Sequence, residues 1–294
     1  MFKLTKLTAW LLVALLALSF QHVQPAAPVM ASTLPVITSF SAGYDITCAV
    51  VDGAIKCWGG TSNVPQVVIG FIGTPTQVVR GASHACALNT DGAVYCWGKN
   101  FVGQLGIGDE GVYESDLPLL VVGLSSGVEA LAAGSDHTCA LLNDKTVQCW
   151  GYNGYGQLGD DTTSGGFSPV VVSGLSTVTQ ISAGMIHSCA VSGGAARCWG
   201  GNSFGQLGDG SLETRTTPVD VVGLTANVSA IEAGDLHTCA IVNGAAKCWG
   251  HNYAGQVGDG TFTLRDSPVQ VVGLESNVTH IQAGGYHTCA VVDG

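Results

Sequence analysis

The chain has 294 residues, with 10 basic and 21 acidic side chains and a formal charge of −11. Proteins that bind nucleic acid present clustered Lys and Arg to the phosphates, so this balance argues against a nucleic-acid partner. The 42 glycines argue against long helices, because glycine destabilises a helix interior.

The first predicted element is a signal peptide over residues 1–31. Lys3 and Lys6 precede an apolar run over 7–20, and small or aliphatic residues favour cleavage after Ala31, with Ala27 as a second site. A retained membrane anchor is the alternative, but the run is shorter than the roughly twenty residues that span a bilayer. We therefore expect a secreted or cell-surface protein with no membrane span after cleavage.

Residues 32–294 are a repeated cassette with a period near fifty residues, predicted to form one β-propeller domain. Repeats of this length with strand-like patterns indicate a propeller or solenoid rather than separate domains. The sixth copy stops at Gly294 without its second cysteine, so we expect the array to be C-terminally incomplete. The cassette cysteines are Cys48, Cys86, Cys139, Cys189, Cys239 and Cys289, followed by Cys57, Cys96, Cys149, Cys198 and Cys248.

Each copy is predicted to supply four short strands. In the fifth copy these are 218–222, 228–233, 237–242 and 245–249, rich in β-branched residues and bounded by Gly, Asn or Pro. No mature segment has a sustained apolar period of 3.6 residues over helical length. The predicted class is all-β, a β-propeller of four-stranded blades with about six blades present and the last one incomplete.

The cysteines of one copy are predicted to face each other across a hairpin. A two-residue turn at Asp52-Gly53 places Val51 opposite Ala54 and Cys48 opposite Cys57. Such a pair lies within disulfide reach. Zinc ligation and free buried thiols are the alternatives. Export favours disulfides, in five pairs: Cys48–Cys57, Cys86–Cys96, Cys139–Cys149, Cys189–Cys198 and Cys239–Cys248.

The cassette resembles the regulator of chromosome condensation repeat. The motif stands here as Ala233-Gly234-Asp235-Leu236-His237-Thr238-Cys239-Ala240, then Cys248-Trp249-Gly250 and residues 252–260. The resemblance implies a propeller of the seven-bladed type, and we expect a secreted, cysteine-paired, bacterial member. The first copy departs from the pattern, because it lacks the Gly-Gln-Leu-Gly segment and has Ile46 in place of the recurring histidine.

One histidine and one tryptophan recur in the copies and are interpreted as structural, because a catalytic group is needed once. Each histidine is expected to hold its own Ala-Gly-x-x turn by a hydrogen bond. A metal in the central channel and calcium at the Asp-rich turns are the alternatives. We expect no catalytic residue, no metal, no cofactor and no enzymatic activity. The residues are His84, His137, His187, His237 and His287, with Trp58, Trp97, Trp150, Trp199 and Trp249.

The segments that differ between copies form the predicted binding site. They cover 107–117, 160–168, 209–217 and 259–267, and are expected to join an outer strand to the next inner strand, on the face that carries the Ala-Gly-x-x-His turns. Mixed aromatic and charged loops on a rigid ring favour recognition of an extracellular protein or glycan by a monomer; plain solvated loops are the alternative. The candidate residues are Tyr113, Glu114, Asp116, Phe167, Glu213, Arg215, Phe262 and Arg265.

Two further functions are weighed against binding. Resemblance to nuclear family members implies guanine-nucleotide exchange on a small GTPase, but export does not fit this activity and the chain has nothing like their inserted wedge. A central-channel hydrolase or lyase would need a non-repeating histidine or acid pair facing inward, and the cassette offers only repeating ones.

Overall fold

The computed structural model describes residues 34–60 and 62–294, of which 36–294 form one compact unit. The predicted signal peptide, residues 1–31, lies outside the described residues. Within them there is no helix long and apolar enough to cross a membrane.

The described residues form 22 strands. They are β1 Ile37–Ala42, β2 Ile46–Val51, β3 Ala54–Gly59, β4 Ser62–Val67, β5 Pro75–Arg80, β6 His84–Asn89, β7 Val94–Lys99, β8 Glu114–Leu120, β9 Val128–Ala133, β10 His137–Leu142, β11 Val147–Gly151, β12 Gly166–Val171, β13 Val178–Ala183, β14 His187–Ser192, β15 Ala195–Gly200, β16 Arg215–Asp220, β17 Val228–Ala233, β18 His237–Val242, β19 Ala245–Gly250, β20 Arg265–Gln270, β21 Val278–Ala283 and β22 Thr288–Val292.

The strands form six antiparallel sheets in chain order, and each sheet is one blade. Five sheets have four strands, and β21 pairs with β22 alone. The first strand of every sheet contacts the first strand of the next, from β1 through β5, β9, β13 and β17 to β21. These strands are therefore the inner strands around the propeller axis. The predicted all-β propeller with about six blades is confirmed.

The outermost strand of each blade differs from the prediction. Residues 218–222 were predicted to open the fifth copy, whereas Pro218 and Val219 lie in β16 and close the fourth blade, with Val219 opposite Cys198. The reason is that β16 follows β15 in the chain and pairs with it as an antiparallel neighbour, so its residues join the sheet of the blade they have just left. Consequently the variable segments join the third strand to the fourth strand of one blade, and the prediction of outer-to-inner connections is wrong.

The hairpin register and the cysteine pairing are confirmed. Cys48 lies opposite Cys57, and Val50 lies opposite Ile55. All five predicted pairs are disulfides, with Cα atoms 4.0 to 4.1 Å apart, and Cys289 is free and exposed. Five disulfides indicate an oxidising compartment, because paired thiols stay reduced in most cytosols.

The core lies largely between blades. Trp150, in β11 of the third blade, is fully buried in one apolar cluster with Cys86 and Cys96 of the second blade. Leu105 joins that cluster from the β7–β8 connection, so the Gly-Gln-Leu-Gly segment descends into the space between two blades. Each tryptophan that is buried this way fixes one blade against the preceding one, since aromatic side chains bury large areas.

Candidate binding face

One end of the propeller, called here the loop face, carries two kinds of connection. The first kind is the turn between the first and second strands of each blade, at 43–45, 81–83, 134–136, 184–186, 234–236 and 284–286. The second kind is the long loop between the third and fourth strands, whose two ends lie on this face, at 100–113, 152–165, 201–214 and 251–264. Backbone hydrogen bonds join them, for example from Tyr152 N to Asp136 O at 2.8 Å. The prediction that the variable segments meet the Ala-Gly-x-x-His turns agrees with this geometry.

A buried asparagine holds each long loop in shape. Asn202 is fully buried. Its Oδ1 accepts a hydrogen bond from Leu207 N at 3.0 Å, and its Nδ2 donates to Ser211 O at 3.0 Å and to Asp209 Oδ1 at 3.2 Å. The loops therefore have fixed backbones, because buried polar groups keep their partners. The same position is filled by Asn100, Asn153 and Asn252.

Two of the predicted binding residues, Arg215 and Arg265, form ion pairs with an aspartate of the loop that precedes them. Arg215 Nε donates to Asp209 Oδ2 at 2.9 Å, and Arg265 Nε donates to Asp259 Oδ2 at 2.7 Å. Burial raises the pKa of Asp209, but hydrogen bonds from Ser211 and Arg215 outweigh it and hold the pKa below its usual value. These arginines stabilise the conformation of the loops. Because each guanidinium group is already paired with an aspartate, it is less available to a binding partner.

The structure spreads the other predicted residues over four blades, and only Tyr113, Glu114 and Asp116 share one blade. Tyr113 is 63% exposed, and its ring centroid lies 6.3 Å from that of Phe101. Glu114 pairs with Lys99. The remaining four lie on different blades: Asp116 exposed in β8, Phe167 half-buried in β12, and Glu213 and Phe262 exposed in their loops.

Sequence reasoning missed an aromatic cluster on the loop face. The His251 ring lies between Phe204, at 5.0 Å, and Tyr253, at 4.7 Å, with Tyr286 at 6.2 Å between centroids. Tyr253 is 65% exposed and Tyr286 is 64% exposed. The available signal was the variation around the recurring loop asparagine, where aromatic residues replace small ones in some copies.

The recurring histidines join blades. His187 Nε2 lies 2.9 Å from Thr238 Oγ1 of the next blade. That hydroxyl donates to Gln206 O at 2.8 Å, and Trp249 Nε1 donates to the same carbonyl at 2.9 Å. Because the hydroxyl proton is already used, His187 Nε2 carries the proton in this contact. We call this set of four residues the seam clasp.

The predicted role of the histidine in its own turn is only half right. The turn is closed by backbone, from Gly184 N to His187 O at 2.9 Å, while the ring reaches the neighbouring blade. The full clasp recurs at the His137 seam, with Ser188, Gln157 and Trp199. The histidine contact recurs without the full set at two further seams, from His84 to Thr138 and from His237 to Thr288.

Burial keeps these imidazoles neutral. It lowers the pKa of His187 and His84 to about 3, and that of His137 and His237 to about 4. The positive charge of Arg80 lowers the pKa of His84 further. In the described residues, no group of three or more His, Cys, Asp and Glu side chains is arranged to hold a metal ion.

An axial cavity of about 740 Å³ lies between the inner strands. Glu232 of β17 lines it, and burial raises the pKa of its carboxyl to about 7, although hydrogen bonds from Ser182 and Gln282 oppose the shift. The other copies have no acid at this position. The expectation that the cassette offers only repeating histidines and acids to the channel is therefore wrong, because Glu232 is a non-repeating acid on its wall.

Two family profiles match the chain. The profile described as Regulator of chromosome condensation (RCC1) repeat matches residues 91–141, 146–191, 194–241 and 243–291, and a second profile with the same description matches 76–104 and 128–157. Among curated proteins, rat "Probable E3 ubiquitin-protein ligase HERC4" is 39% identical over 140 residues, which cover 46% of this chain and 13% of HERC4.

Solved structures share the fold. Human WBSCR16 has a TM-score of 0.79 at 24% identity, and the match covers 91% of this chain and 74% of that chain. Prp20p from Saccharomyces cerevisiae has a TM-score of 0.73 at 22% identity, covering 84% and 66%. At these identities the likeness establishes the architecture.

The expectation that the chain is not an enzyme is corrected by the curated relatives. Relatives that share the repeat are named ubiquitin-protein ligases, so the repeat does not exclude enzymatic activity. The chain spans 13 to 16% of the length of these relatives, and the ligase activity is stated of them.

Proposed function

The chain belongs to the regulator of chromosome condensation (RCC1) repeat family, and from that premise we propose that it is a secreted or cell-surface propeller whose loop face binds a partner protein. The fold gives a rigid ring, and a rigid ring that presents variable loops is suited to a binding or scaffold role.

The uneven distribution of aromatic side chains supports this proposal most strongly. Exposed aromatics on the loop face include Tyr44 at 83%, Tyr253 at 65% and Phe262 at 70%. At the opposite end, the described inter-blade connections hold one aromatic, Phe71, which packs against Tyr95 at 5.3 Å between centroids. Folding alone would not require such an asymmetry, because the same blades meet both ends.

The chemistry of the loop face favours a protein over a glycan. The cluster around His251 presents Tyr253 and Tyr286 at its surface. Acids such as Glu213 and Asp235 lie on the same face. Aromatic anchors inside a charged rim are typical of protein interfaces, where a few central residues supply most of the binding energy.

Export is supported by the five disulfides and by the sequence of residues 1–31. Disulfides form and persist in oxidising compartments. The segment 1–31 has the charge and hydropathy pattern of a signal peptide. The mass of the mature protein measures this part of the proposal: a chain that starts near Ser32 supports export, and an uncleaved chain overturns it.

Variants of the cluster test the loop face. We would capture a partner from the extracellular fraction of the source with the immobilised propeller, and then measure its affinity for purified Tyr253→Ala/Tyr286→Ala. Loss of about 2 kcal/mol or more, roughly thirtyfold, is expected for anchor residues. Val272→Ala is the matched control, because Val272 is 69% exposed at the opposite end.

Two results would overturn the proposal. One is equal affinity of the double variant and the wild type. The other is loss of binding after enzymatic deglycosylation of the partner, which would make a glycan the ligand. A guanine-nucleotide exchange role has the fold likeness to Prp20p in its favour, and no residue of this chain supports it separately.

A further inference from the structure

A second cavity, of about 270 Å³, lies between the fifth and sixth blades. Its apolar lining repeats the lining of the preceding seam, because each residue stands one repeat after a member of the buried cluster around Trp249. These residues are Cys248, Val257, Val271, Leu274, Ile281 and Ala290. The cavity therefore has the shape-determining residues of a tryptophan pocket.

The polar part of the cavity matches as well. Thr288 Oγ1 donates a hydrogen bond to Gln256 O at 2.9 Å. At the preceding seam, Thr238 Oγ1 donates to Gln206 O at 2.8 Å, and Trp249 Nε1 donates to the same carbonyl at 2.9 Å. Because a carbonyl oxygen accepts two hydrogen bonds, Gln256 O can accept one from an indole N–H.

The glycine beside the cavity leaves space for a flat ring. At the preceding seam, a Cβ built on Gly208 would lie 2.6 Å from Trp249 Nε1. On Gly258, one repeat later, such a Cβ would meet only Val271 among the described residues within 4 Å. The space over Gly258 is therefore open to an aromatic group.

The strand beside the cavity has an unpaired edge. In the described part of the chain β22 pairs with β21 alone, whereas the equivalent strand β18 also pairs with β19. In that pair Thr238 lies opposite Trp249, and Cys239 lies opposite Cys248. Cys289 stands one repeat after Cys239 and is free and exposed. An open edge next to a side-chain pocket is the arrangement by which sheets bind an added strand.

We propose that the sixth blade binds, in trans, an extended peptide segment with a Cys-Trp-Gly sequence, which adds antiparallel to β22. Successive side chains of a strand point to opposite faces. The tryptophan therefore enters the cavity from a position opposite Thr288, while the cysteine lies on the other face, opposite Cys289. Main-chain hydrogen bonds and the indole ring supply the affinity. This site does not rest on the partner proposed for the loop face.

A disulfide with Cys289 makes the register of the added strand measurable. The peptide is supplied as a mixed disulfide between its cysteine and a chromogenic thiol. The Cys289 thiol loses its proton to water, and its sulfur attacks the peptide sulfur. A disulfide between Cys289 and the peptide forms, and the chromogenic thiol leaves as its thiolate, so there is no net oxidation.

The probe is a synthetic peptide with the sequence of residues 245–250, Ala-Ala-Lys-Cys-Trp-Gly. One control peptide has alanine in place of tryptophan, and a second exchanges the order of cysteine and tryptophan. Release of the chromogenic thiol and the intact mass of the adduct are measured on the full chain. We expect the Cys-Trp peptide to react at least about tenfold faster than either control, as for loss of an aromatic anchor.

Three variants of the chain complete the experiment. Ala290→Leu places a larger side chain in the cavity and should slow the Cys-Trp peptide to the rate of the control peptides. Ala226→Leu makes the same change at an exposed turn outside the cavity and should react like the wild type. Cys289→Ser should form no adduct. Urea midpoints and the rate with the chromogenic disulfide alone would establish that both leucine variants are folded and keep a reactive Cys289.

The same measurements can overturn the proposal. Equal rates for the three peptides, or for the wild type and Ala290→Leu, would show that the cavity does not accept the indole ring. An adduct with Cys289→Ser would place the reaction at another cysteine. Protein from its source that carries residues beyond Gly294 and takes up no peptide would place the occupant of the cavity in the same chain.

Discussion

His187 of the fourth blade donates a hydrogen bond to the hydroxyl of Thr238 in the fifth blade across 2.9 Å. Both residues are fully buried. The contact links the second strands of two neighbouring blades. The stability of the ring therefore depends on polar bonds at the seams as well as on the apolar core between blades.

Removal of the Thr238 hydroxyl should weaken a seam. Thr238→Val keeps the shape of the side chain but leaves His187 Nε2 without an acceptor, so we expect the free energy of unfolding to fall by about 1–3 kcal/mol. Urea unfolding measures the change. Thr179→Val is the control, because Thr179 is exposed and should change stability by less than about 0.5 kcal/mol. Equal effects of the two variants would contradict the clasp.

Acid should destabilise the ring through its buried histidines. Their pKa values are about 3 to 4 when folded, against about 6.5 when unfolded. Below pH 6.5 the unfolded chain therefore binds protons that the folded chain does not, and stability falls until the pH reaches about 3 to 4. Each histidine contributes a slope of at most about 1.4 kcal/mol per pH unit. Urea midpoints between pH 7.5 and 4.5 measure this; a flat profile would contradict it.

Glu232 should contribute with the opposite sign. Its carboxyl has a pKa of about 7 in the folded chain and near 4.5 when unfolded, so its stabilising contribution is complete below pH 4.5 and is lost as the pH rises through 7. Glu232→Gln should therefore stabilise the protein at pH 8 by on the order of 3 kcal/mol and have little effect at pH 4.5. A gain of equal size at both pH values would indicate a packing effect instead.

Loss of one disulfide should destabilise the protein without abolishing the fold. Cys189 and Cys198 close a loop with a sequence separation of 9, for which the chain-entropy model gives about 2–3 kcal/mol. Cys189→Ala/Cys198→Ala should lower the urea midpoint accordingly. Cys289→Ser should leave the midpoint unchanged, since Cys289 is free and exposed. A double variant as stable as the wild type would show that this disulfide adds no stability.

A methyl group at Gly184 should disrupt the seam between the fourth and fifth blades, where the backbones of two turns approach closely. A Cβ there would lie 2.3 Å from Gly234 O and 2.4 Å from His187 Cε1. Gly184→Ala should therefore cost about 1–3 kcal/mol or more in unfolding free energy. Gly111→Ala is the comparison, since the nearest atom is the flexible Asp109 Oδ1 at 3.2 Å. Similar unfolding midpoints for the two variants would contradict the close packing.

Local features of the fold could be predicted from the sequence because short-range geometry determines them. The turn at Asp52-Gly53 sets the register of one hairpin, and that register brings Cys48 and Cys57 together. The spacing of the repeat was sufficient to identify the blades. The assignment of Pro218 to a blade failed, because the pattern of one strand does not say which sheet it joins.

Contacts between blades could not be predicted from one cassette. The partner of His187 is in the next copy, 51 residues away, and only the assembled ring brings the two side chains together. The aromatic cluster at His251 joins loops of different blades for the same reason. Glu232 could have been found by aligning the six inner strands, where it replaces neutral residues; Arg80 stands out in the same alignment.

The two halves of the seam clasp come from different copies, and this arrangement bears on how such a chain evolves. The third, fourth and fifth copies each carry the histidine and glutamine for the seam that follows, together with the hydroxyl and the tryptophan for the seam that precedes; the second copy has Ala85 in place of the hydroxyl. Tandem duplication of a fifty-residue unit such as 187–236 would thus create a new junction that is complementary from the start. Rings of this kind can gain blades by recombination before selection has altered a single side chain.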